Sequence, residues 1–250
     1  MADNEEVVIV TGGANGIGRV YSRALAAKGY RVVVADLAET GPTVNEIMES
    51  GGRALGVTLD VSSEESTYAM VRRVTEEWNR IDVLINNAAY FSEITKTPFM
   101  ELTVEQWRKA MDVNVIGTWL CAKAVVPVMR KRGYGKIINT SSMTVPTGVP
   151  GFLHYVASKS AIIGLTNSLA REVGEYGILV NTISPCYVPH NGDYVAKQEG
   201  TMGEAIIRER IIRREMTPDD LVGTILHLTG HGSDFVTGQN FYVNGGRVFN

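Results

Sequence analysis

The chain has 250 residues, 44% of them hydrophobic and 20% charged, an ordinary balance for a globular protein that buries a large core without disulfides or structural metals. Its net charge of −3 gives no electrostatic case for nucleic acid or an anionic membrane as partner. Cys121 and Cys186 stand far apart with no CxxC pattern, and the four histidines show no HExxH-like spacing, which argues against a disulfide framework and against a metal centre.

Met1 to Glu6 is short and acidic, unlike a targeting peptide, and no apolar run is read as approaching the roughly 20 residues of a membrane helix, so the expected location is the cytoplasm. The first strand is expected at Val7–Val10, followed by a glycine-rich turn and a helix with Ile17, Val20, Tyr21, Ala24 and Leu25 on one face. A second buried strand follows at Arg31–Ala35, then a helix from Pro42 to Glu49, a strand at Ala54–Thr58 and a helix from Glu64 to Trp78. Asp82–Ile85 reads as a fourth strand, Thr103–Arg132 as one long helix, and Gly135–Asn139 as a fifth strand. Tyr155–Tyr176 is expected helical, Ile178–Ile183 a sixth strand and Asn240–Val243 a seventh. Such alternation, with strands apolar throughout, predicts an α/β fold: a doubly wound, Rossmann-like parallel sheet of about seven strands with helices on both faces. Residues 1–250 read as a single domain, with Cys186 to Thr217 as a substrate-binding loop inserted after the sixth strand.

The turn Thr11-Gly-Gly-Ala-Asn-Gly-Ile-Gly18 lies between the first strand and the first helix. Gly12, Gly16 and Gly18 permit a sharp turn, close approach of backbone to a pyrophosphate and tight packing of helix on strand. The helix N-terminus offers free N–H groups to phosphate, and Asn15 and Ile17 complete the candidate cofactor turn. Asp36 ends the second strand, 18 residues beyond Gly18. A carboxylate there accepts from the ribose hydroxyls of NAD and repels the 2′-phosphate of NADP, and neither Asn15 nor Leu37 offers a cation to receive that phosphate. Arg19 is the one nearby cation in the sequence.

Tyr155 and Lys159 stand four residues apart, one helical turn on one face. An ammonium beside a phenol is expected to lower the tyrosine pKa toward a useful base. With these residues, the glycine turn, Asn86-Asn87-Ala88-Ala89, Asn114, Ser142 placed 13 residues before Tyr155, Thr237-Gly238-Gln239 and Asn244-Gly245-Gly246 fall in an order and spacing that resembles the short-chain dehydrogenases/reductases over about residues 5 to 247.

The resemblance implies a hydride-transferring enzyme using NAD on a small, partly hydrophobic secondary alcohol or ketone. It implies Tyr155 as general acid/base, Lys159 as its electrostatic partner and nicotinamide-ribose contact, Ser142 as the holder of the substrate oxygen, and Asn114 as anchor of a proton-relay water. Asp60 and Val61 are implied near the adenine. Asn87, Ala88, Pro185, Val188 and His190 join the implied cofactor contacts; Met143 and Tyr187 join Ser142 and Tyr155 toward substrate. Ser141 adjoins Ser142, and spacing alone chooses between them. Three departures stand out: Ala89 and Cys186 replace glycines, and His190 replaces a threonine expected to hold the carboxamide. The resemblance further implies a homotetramer, paired through the long helix and the Tyr155 helix, whose apolar residues (Trp119, Leu120, Ala124, Val125 and Val128; Ile162, Ile163, Leu165 and Leu169) cover more than one stripe. Two alternatives remain: a nucleotide-binding sensor or scaffold of the same fold, and an NADPH-dependent reductase of carrier-bound ketones. The pocket inventory, Met143, Thr144, Val145, Gly148, Phe152, Tyr187 and side chains from the Asn191 to Arg213 loop, is largely apolar and favours a hydrophobic ketone over a sugar or a carboxylate.

Overall fold

The computed structural model describes residues 5–189 and 200–249, the side chains of 200–202 excepted. His190 and residues 191–199 of the 186–217 loop lie outside the described residues.

Seven strands form one sheet: β1 (Val7–Thr11), β2 (Arg31–Asp36), β3 (Arg53–Thr58), β4 (Val83–Asn86), β5 (Gly135–Thr140), β6 (Ile178–Pro185) and β7 (Asn240–Val243). Their order is β3-β2-β1-β4-β5-β6-β7 and every pairing is parallel. Parallel strands need crossovers, supplied here by α1 (Gly16–Ala27), α2 (Gly41–Glu49), α3 (Glu64–Trp78), α4 (Val104–Met111), α5 (Gly117–Arg132), the single turn α6 (Thr144–Thr147), α7 (Leu153–Val173), α8 (Gly200–Glu209) and α9 (Asp219–Thr229). Strand side chains alternate between two cores. Val8, Val10, Val32, Val34 and Ile85 meet Tyr21 and Leu25 of α1 and Leu221 and Ile225 of α9. Val7, Ile9, Val33, Leu84 and Ile137 meet Met70 and Val74 of α3 and Val125 and Met129 of α5. Each such aliphatic side chain, fully buried, contributes roughly 1.5–3 kcal/mol, which makes the two-layer cover obligatory. The result is the Rossmann-like doubly wound fold expected from the strand pattern.

Strand order reverses between β1 and β4, so a crevice opens at their C-terminal ends, where such folds bind ligands.

Two elements differ from expectation. The long helix is broken by a π turn, Asp112–Ile116, between α4 and α5. Its start is set as the sequence suggests, by a capping box in which Thr103 and Gln106 satisfy each other's backbone N–H. The π turn places Asn114 in the interior, 1% exposed. Taken as one element, Val104–Arg132 is long and apolar enough to cross a membrane by length and composition, contrary to the reading of its sequence; here Leu120, Cys121, Ala124 and Val125 bury it against the sheet. The second difference is α8, a helix inside a segment that reads as polar loop. It buries Ile206 in the core beneath the substrate side.

Candidate active site

The glycine turn is built by β1 and β4 together. Gly12 and Gly16 have positive φ, +63° and +51°. A Cβ on Gly12 would stand 2.9 Å from the Ala88 Cα, so the close approach to β4 admits no side chain. Asn87 clamps the turn: its Nδ2 donates to the Thr11 and Gly12 carbonyls at 3.1 and 3.2 Å, while the backbone N–H groups of Asn87 and Ala88 donate to Thr11 Oγ1. Gly18 acts differently from Gly12 and Gly16. It does not face the cleft; a Cβ there would lie 2.0 Å from the Gly12 carbonyl oxygen, so its place is the seam where α1 packs on the turn.

A groove of about 370 Å³ runs along this turn, lined by Gly12, Asn15, Gly16, Ile17, Asp36, Leu37, Asp60, Val61, Asn87 and Ala88. All of these are among the residues expected to hold the cofactor. Asp36 Oδ2 accepts from the Ala14 N–H and Oδ1 from the Ala38 N–H, both at 3.0 Å, which fixes the carboxylate at the groove wall. Arg19 turns away from it: Nε donates to Glu46 Oε2 at 3.1 Å and Nη2 to Oε1. The nearest cation to the ribose end of the groove is thereby neutralised by α2.

A second cavity of about 430 Å³ adjoins the groove and shares Ile17, Asn87, Ala89 and Phe91 with it. It brings together Ser142, Tyr155 and Lys159 with Met143, Pro185, Cys186, Tyr187 and Val188. Cys186 forms buried wall, as expected of it. Both adjacent serines line this cavity, but they are bonded differently. Ser141 Oγ donates to the Lys159 carbonyl at 2.8 Å and is spent on holding β5 to α7. Ser142 Oγ accepts from the Thr144 N–H at 3.1 Å and the Thr144 hydroxyl at 3.0 Å. With its acceptor capacity engaged, Ser142 is left to donate its proton into the cavity.

Burial governs both titrating groups. It pushes the Tyr155 phenol up to about 12, and a hydrogen bond with Ser142 draws it back only in part. It pulls the Lys159 ammonium down to about 8. The sequence argument that Lys159 would lower the tyrosine pKa is therefore corrected for this state: Nζ lies 5.8 Å from the phenol ring centroid and donates to the Thr140 carbonyl at 2.8 Å. Desolvation of both groups outweighs their mutual effect.

Asn114 is a clamp. Its Oδ1 accepts from the Tyr90 N–H at 2.7 Å, and its Nδ2 donates to Ser158 Oγ at 2.9 Å. The Asn114 side chain thus joins the segment after β4 to α7, and its backbone carbonyl accepts from Thr118 Oγ1 at 2.8 Å.

Several lining residues escaped the sequence reading. Phe91 packs on the Tyr155 ring at 4.9 Å between centroids and lies on both cavities. Arg247 enters from beyond β7; Ala205, Ile206 and Glu209 enter from α8, within the Asn191 to Arg213 segment expected to contribute to the pocket. Val145, expected in the pocket, is not among the lining residues. Asn244 stands where the family that the sequence resembles usually has aspartate, and its bonds use the difference. Its Oδ1 accepts from the Gly246 and Arg247 N–H groups, while its Nδ2 donates to the Val248 carbonyl at 2.8 Å and contacts Met143 Sδ at 3.6 Å. An aspartate cannot donate, so asparagine is what ties the C-terminal turn to the segment beside Ser142.

Residues 12–247 match the family described as enoyl-(acyl carrier protein) reductase. The chain is 33% identical to a 3-oxoacyl-[acyl-carrier-protein] reductase of Synechocystis sp. over 247 residues, covering 97% of each. It is 35% identical to galactitol 2-dehydrogenase of Agrobacterium fabrum over 254 residues, again covering 97% of each. The fold superposes on an NAD⁺-bound xylitol dehydrogenase with a TM-score of 0.91 and 29% identity, over 98% of this chain and 100% of the other. On the sheet, the glycine turn and these relationships, the chain belongs to the short-chain dehydrogenase/reductase family of nicotinamide-dependent oxidoreductases.

Proposed function

We propose that this protein is an NAD-dependent dehydrogenase or ketone reductase acting on small, partly hydrophobic secondary alcohols and ketones. One observation carries the reading: the cavity that holds Ser142, Tyr155 and Lys159 opens into the groove along the glycine turn through shared walls. A substrate oxygen between Ser142 and Tyr155 thus lies beside the place for a nicotinamide. A sensor of the same fold would have no need of these three groups in one cavity. A screen of secondary alcohols with NAD, followed at the nicotinamide absorbance, tests the reading; no turnover of any alcohol or of its ketone overturns it.

The residues fit the cofactor. The Gly12 contact leaves no room for a side chain where the pyrophosphate would approach, and Asp36 is held where the adenosine ribose would lie. Asn15, Gly16 and Ile17 at the start of α1, Leu37 and Asp60-Val61 would hold the adenosine half; Asn87, Ala88, Lys159, Pro185 and Val188 would hold the nicotinamide half. When bound, the nicotinamide accepts or gives the hydride. The chain supplies the rest. The buried Tyr155 phenol gives its proton to the ketone oxygen in reduction and takes one from the alcohol in oxidation. Ser142 donates to the same oxygen and stabilises the charge that grows there. Lys159 places positive charge near the phenol, and Phe91 and Phe152 keep water from it.

The NAD preference rests on Asp36 and on Arg19 being bound by Glu46. Wild-type enzyme should have a higher kcat/KM with NAD than with NADP, and Asp36→Ala should narrow the ratio by removing carboxylate–phosphate repulsion. Paired steady-state kinetics check this, and a native preference for NADP overturns it. The carrier-bound ketone reductase is a second reading, favoured by the relative of that name. It would show as turnover of a carrier-linked 3-oxoacyl chain in preference to free ketones.

The assembly is proposed as a homotetramer, and the location as the cytoplasm. Of the apolar residues on α5 and α7, Leu120, Ala124, Val125 and Ile162 are buried within this chain. Ile116, Trp119 and Leu153 remain exposed on the π turn, α5 and α7, and supply an apolar face for a second copy. Light scattering at micromolar concentration should give four times the 27.3 kDa chain mass; a monomer refutes it.

A further inference from the structure

The reaction cavity is apolar over most of its wall, through residues such as Phe91, Met143, Val149, Phe152 and Ile206. One corner is charged. Besides Lys159, whose ammonium donates to the Thr140 carbonyl, the charged residues among the described lining are Glu209 and Arg247. Glu209 ends α8 and Arg247 follows Gly245-Gly246 beyond β7, so the corner exists only in the folded chain. Arg247 Nε donates to Glu209 Oε2 at 2.6 Å. The Arg247 side chain is 15% exposed, the Glu209 side chain 55%. A guanidinium carries five N–H donors, and here only Nε is used; the two terminal nitrogens have no partner among the described residues. The backbone beneath is held by the Asn244 Oδ1 bonds to the Gly246 and Arg247 N–H groups.

We infer that Arg247 anchors a carboxylate on the substrate, so that the enzyme acts on keto acids and hydroxy acids whose reacting carbon sits at Ser142 and Tyr155. The inference rests on the hydride-transfer reading above and narrows its substrate class. Three physical features support it. The free edge of the guanidinium is a planar fork of donors that matches two carboxylate oxygens. The side chain that carries the fork is 15% exposed and lines a mostly apolar cavity, where an acceptor-only partner satisfies it and a methyl group does not. Glu209 holds the Nε side and leaves the terminal nitrogens to another partner. The apolar inventory of residues 143–187 points away from a carboxylate; the charge enters from segments remote in sequence. The rival occupant is a neutral hydroxyl, which would accept from Arg247 and donate to Glu209.

Levulinate and its longer keto-acid homologues, each beside its methyl ester, separate these cases with NADH as reductant. The readout is the acid-to-ester ratio of kcat/KM within each variant, which cancels any loss of folded enzyme. For the homologue of best length, wild type should favour the acid by about tenfold or more, the scale of a hydrogen-bonded charge pair. Arg247→Gln should bring the ratio close to one, and Arg247→Lys should restore part of it as a point charge. Glu209→Gln should raise the ratio, since it keeps an acceptor for Nε and removes a like charge from beside the carboxylate. Calorimetric titration of the acid into NAD⁺-loaded enzyme should rank the variants in the same order without turnover. Equal turnover of acid and ester throughout the series overturns the inference while leaving the hydride-transfer reading intact. A fall in the ratio with Glu209→Gln overturns it in favour of the hydroxyl. Ketones and alcohols all inert would remove the hydride-transfer reading and this inference together.

Discussion

Tyr155→Phe should lower turnover by about 10²–10⁴-fold, the usual contribution of a positioned general acid/base, with NAD affinity close to wild type. The substitution removes only the phenolic oxygen and its hydrogen bond with Ser142. The ring keeps its packing on Phe91, so the cavity wall survives. Circular dichroism and NAD titration would establish that the variant is folded and loaded; activity within about threefold of wild type would refute the assignment. The pH profile offers a second readout. Burial holds the phenol up to about 12, so at neutral pH it is a proton donor. Reduction should therefore run nearly flat from pH 6 to pH 8. Oxidation needs the phenol deprotonated, so its kcat/KM should climb with pH over the same range. Tyr155→Phe should abolish that slope along with the rate.

Lys159→Met should cost most of the activity and yet stabilise the NAD-free protein near neutral pH. Lys159 is 3% exposed, and among the described residues its ammonium makes one hydrogen bond, to the Thr140 carbonyl. Burial lowers its pKa from 10.5 to about 8, which means that the folded state disfavours the charged form relative to the unfolded chain. Below about pH 8 both states are protonated and the penalty is fully present. Between about pH 8 and 10.5 the unfolded chain binds more protons than the folded one, so stability rises with pH across that window. The shift corresponds to roughly 3 kcal/mol at most, by 1.36 kcal/mol per pKa unit. Methionine carries no charge, so the variant should lack this rise and exceed wild type in denaturant midpoint at pH 7, less whatever is lost with the Thr140 bond. Urea melts at pH 7, 8 and 9.5 would decide. A wild-type stability that does not rise over this interval relative to Lys159→Met would refute it. The arrangement is a stability cost carried by a functional group, offset elsewhere by the two cores.

Several features were legible in the linear sequence because they depend on local or strictly periodic patterns. Runs such as Val7–Val10 and Arg31–Ala35 announce strands covered on both faces, and their alternation with helical segments leaves few topologies open. The turn from Thr11 to Gly18 is contiguous, and Tyr155 and Lys159 share a helical face, so each could be read before any fold was known. The π turn at Asn114 was not legible, because its sequence continues a helical pattern on either side and the extra residue is accommodated only by contact with Tyr90 and Ser158. The different bonding of Ser141 and Ser142 likewise waited on the fold, which brings Ser141 to the Lys159 carbonyl. The burial that raises the Tyr155 phenol and lowers the Lys159 ammonium was not legible either, since proximity along a helix carries no information about burial. Ionisation follows from desolvation, which the whole fold imposes. The corner formed by Glu209 and Arg247 is the furthest from sequence: 38 residues separate the pair, and only the register of β7 on β6 and the docking of α8 bring the two charges onto one wall. The sequence by itself determined the sheet, the glycine turn and the pairing of Tyr155 with Lys159 on one helical face; tertiary packing alone decided how each serine is bonded, which charges are buried, and which side chains line the cavity.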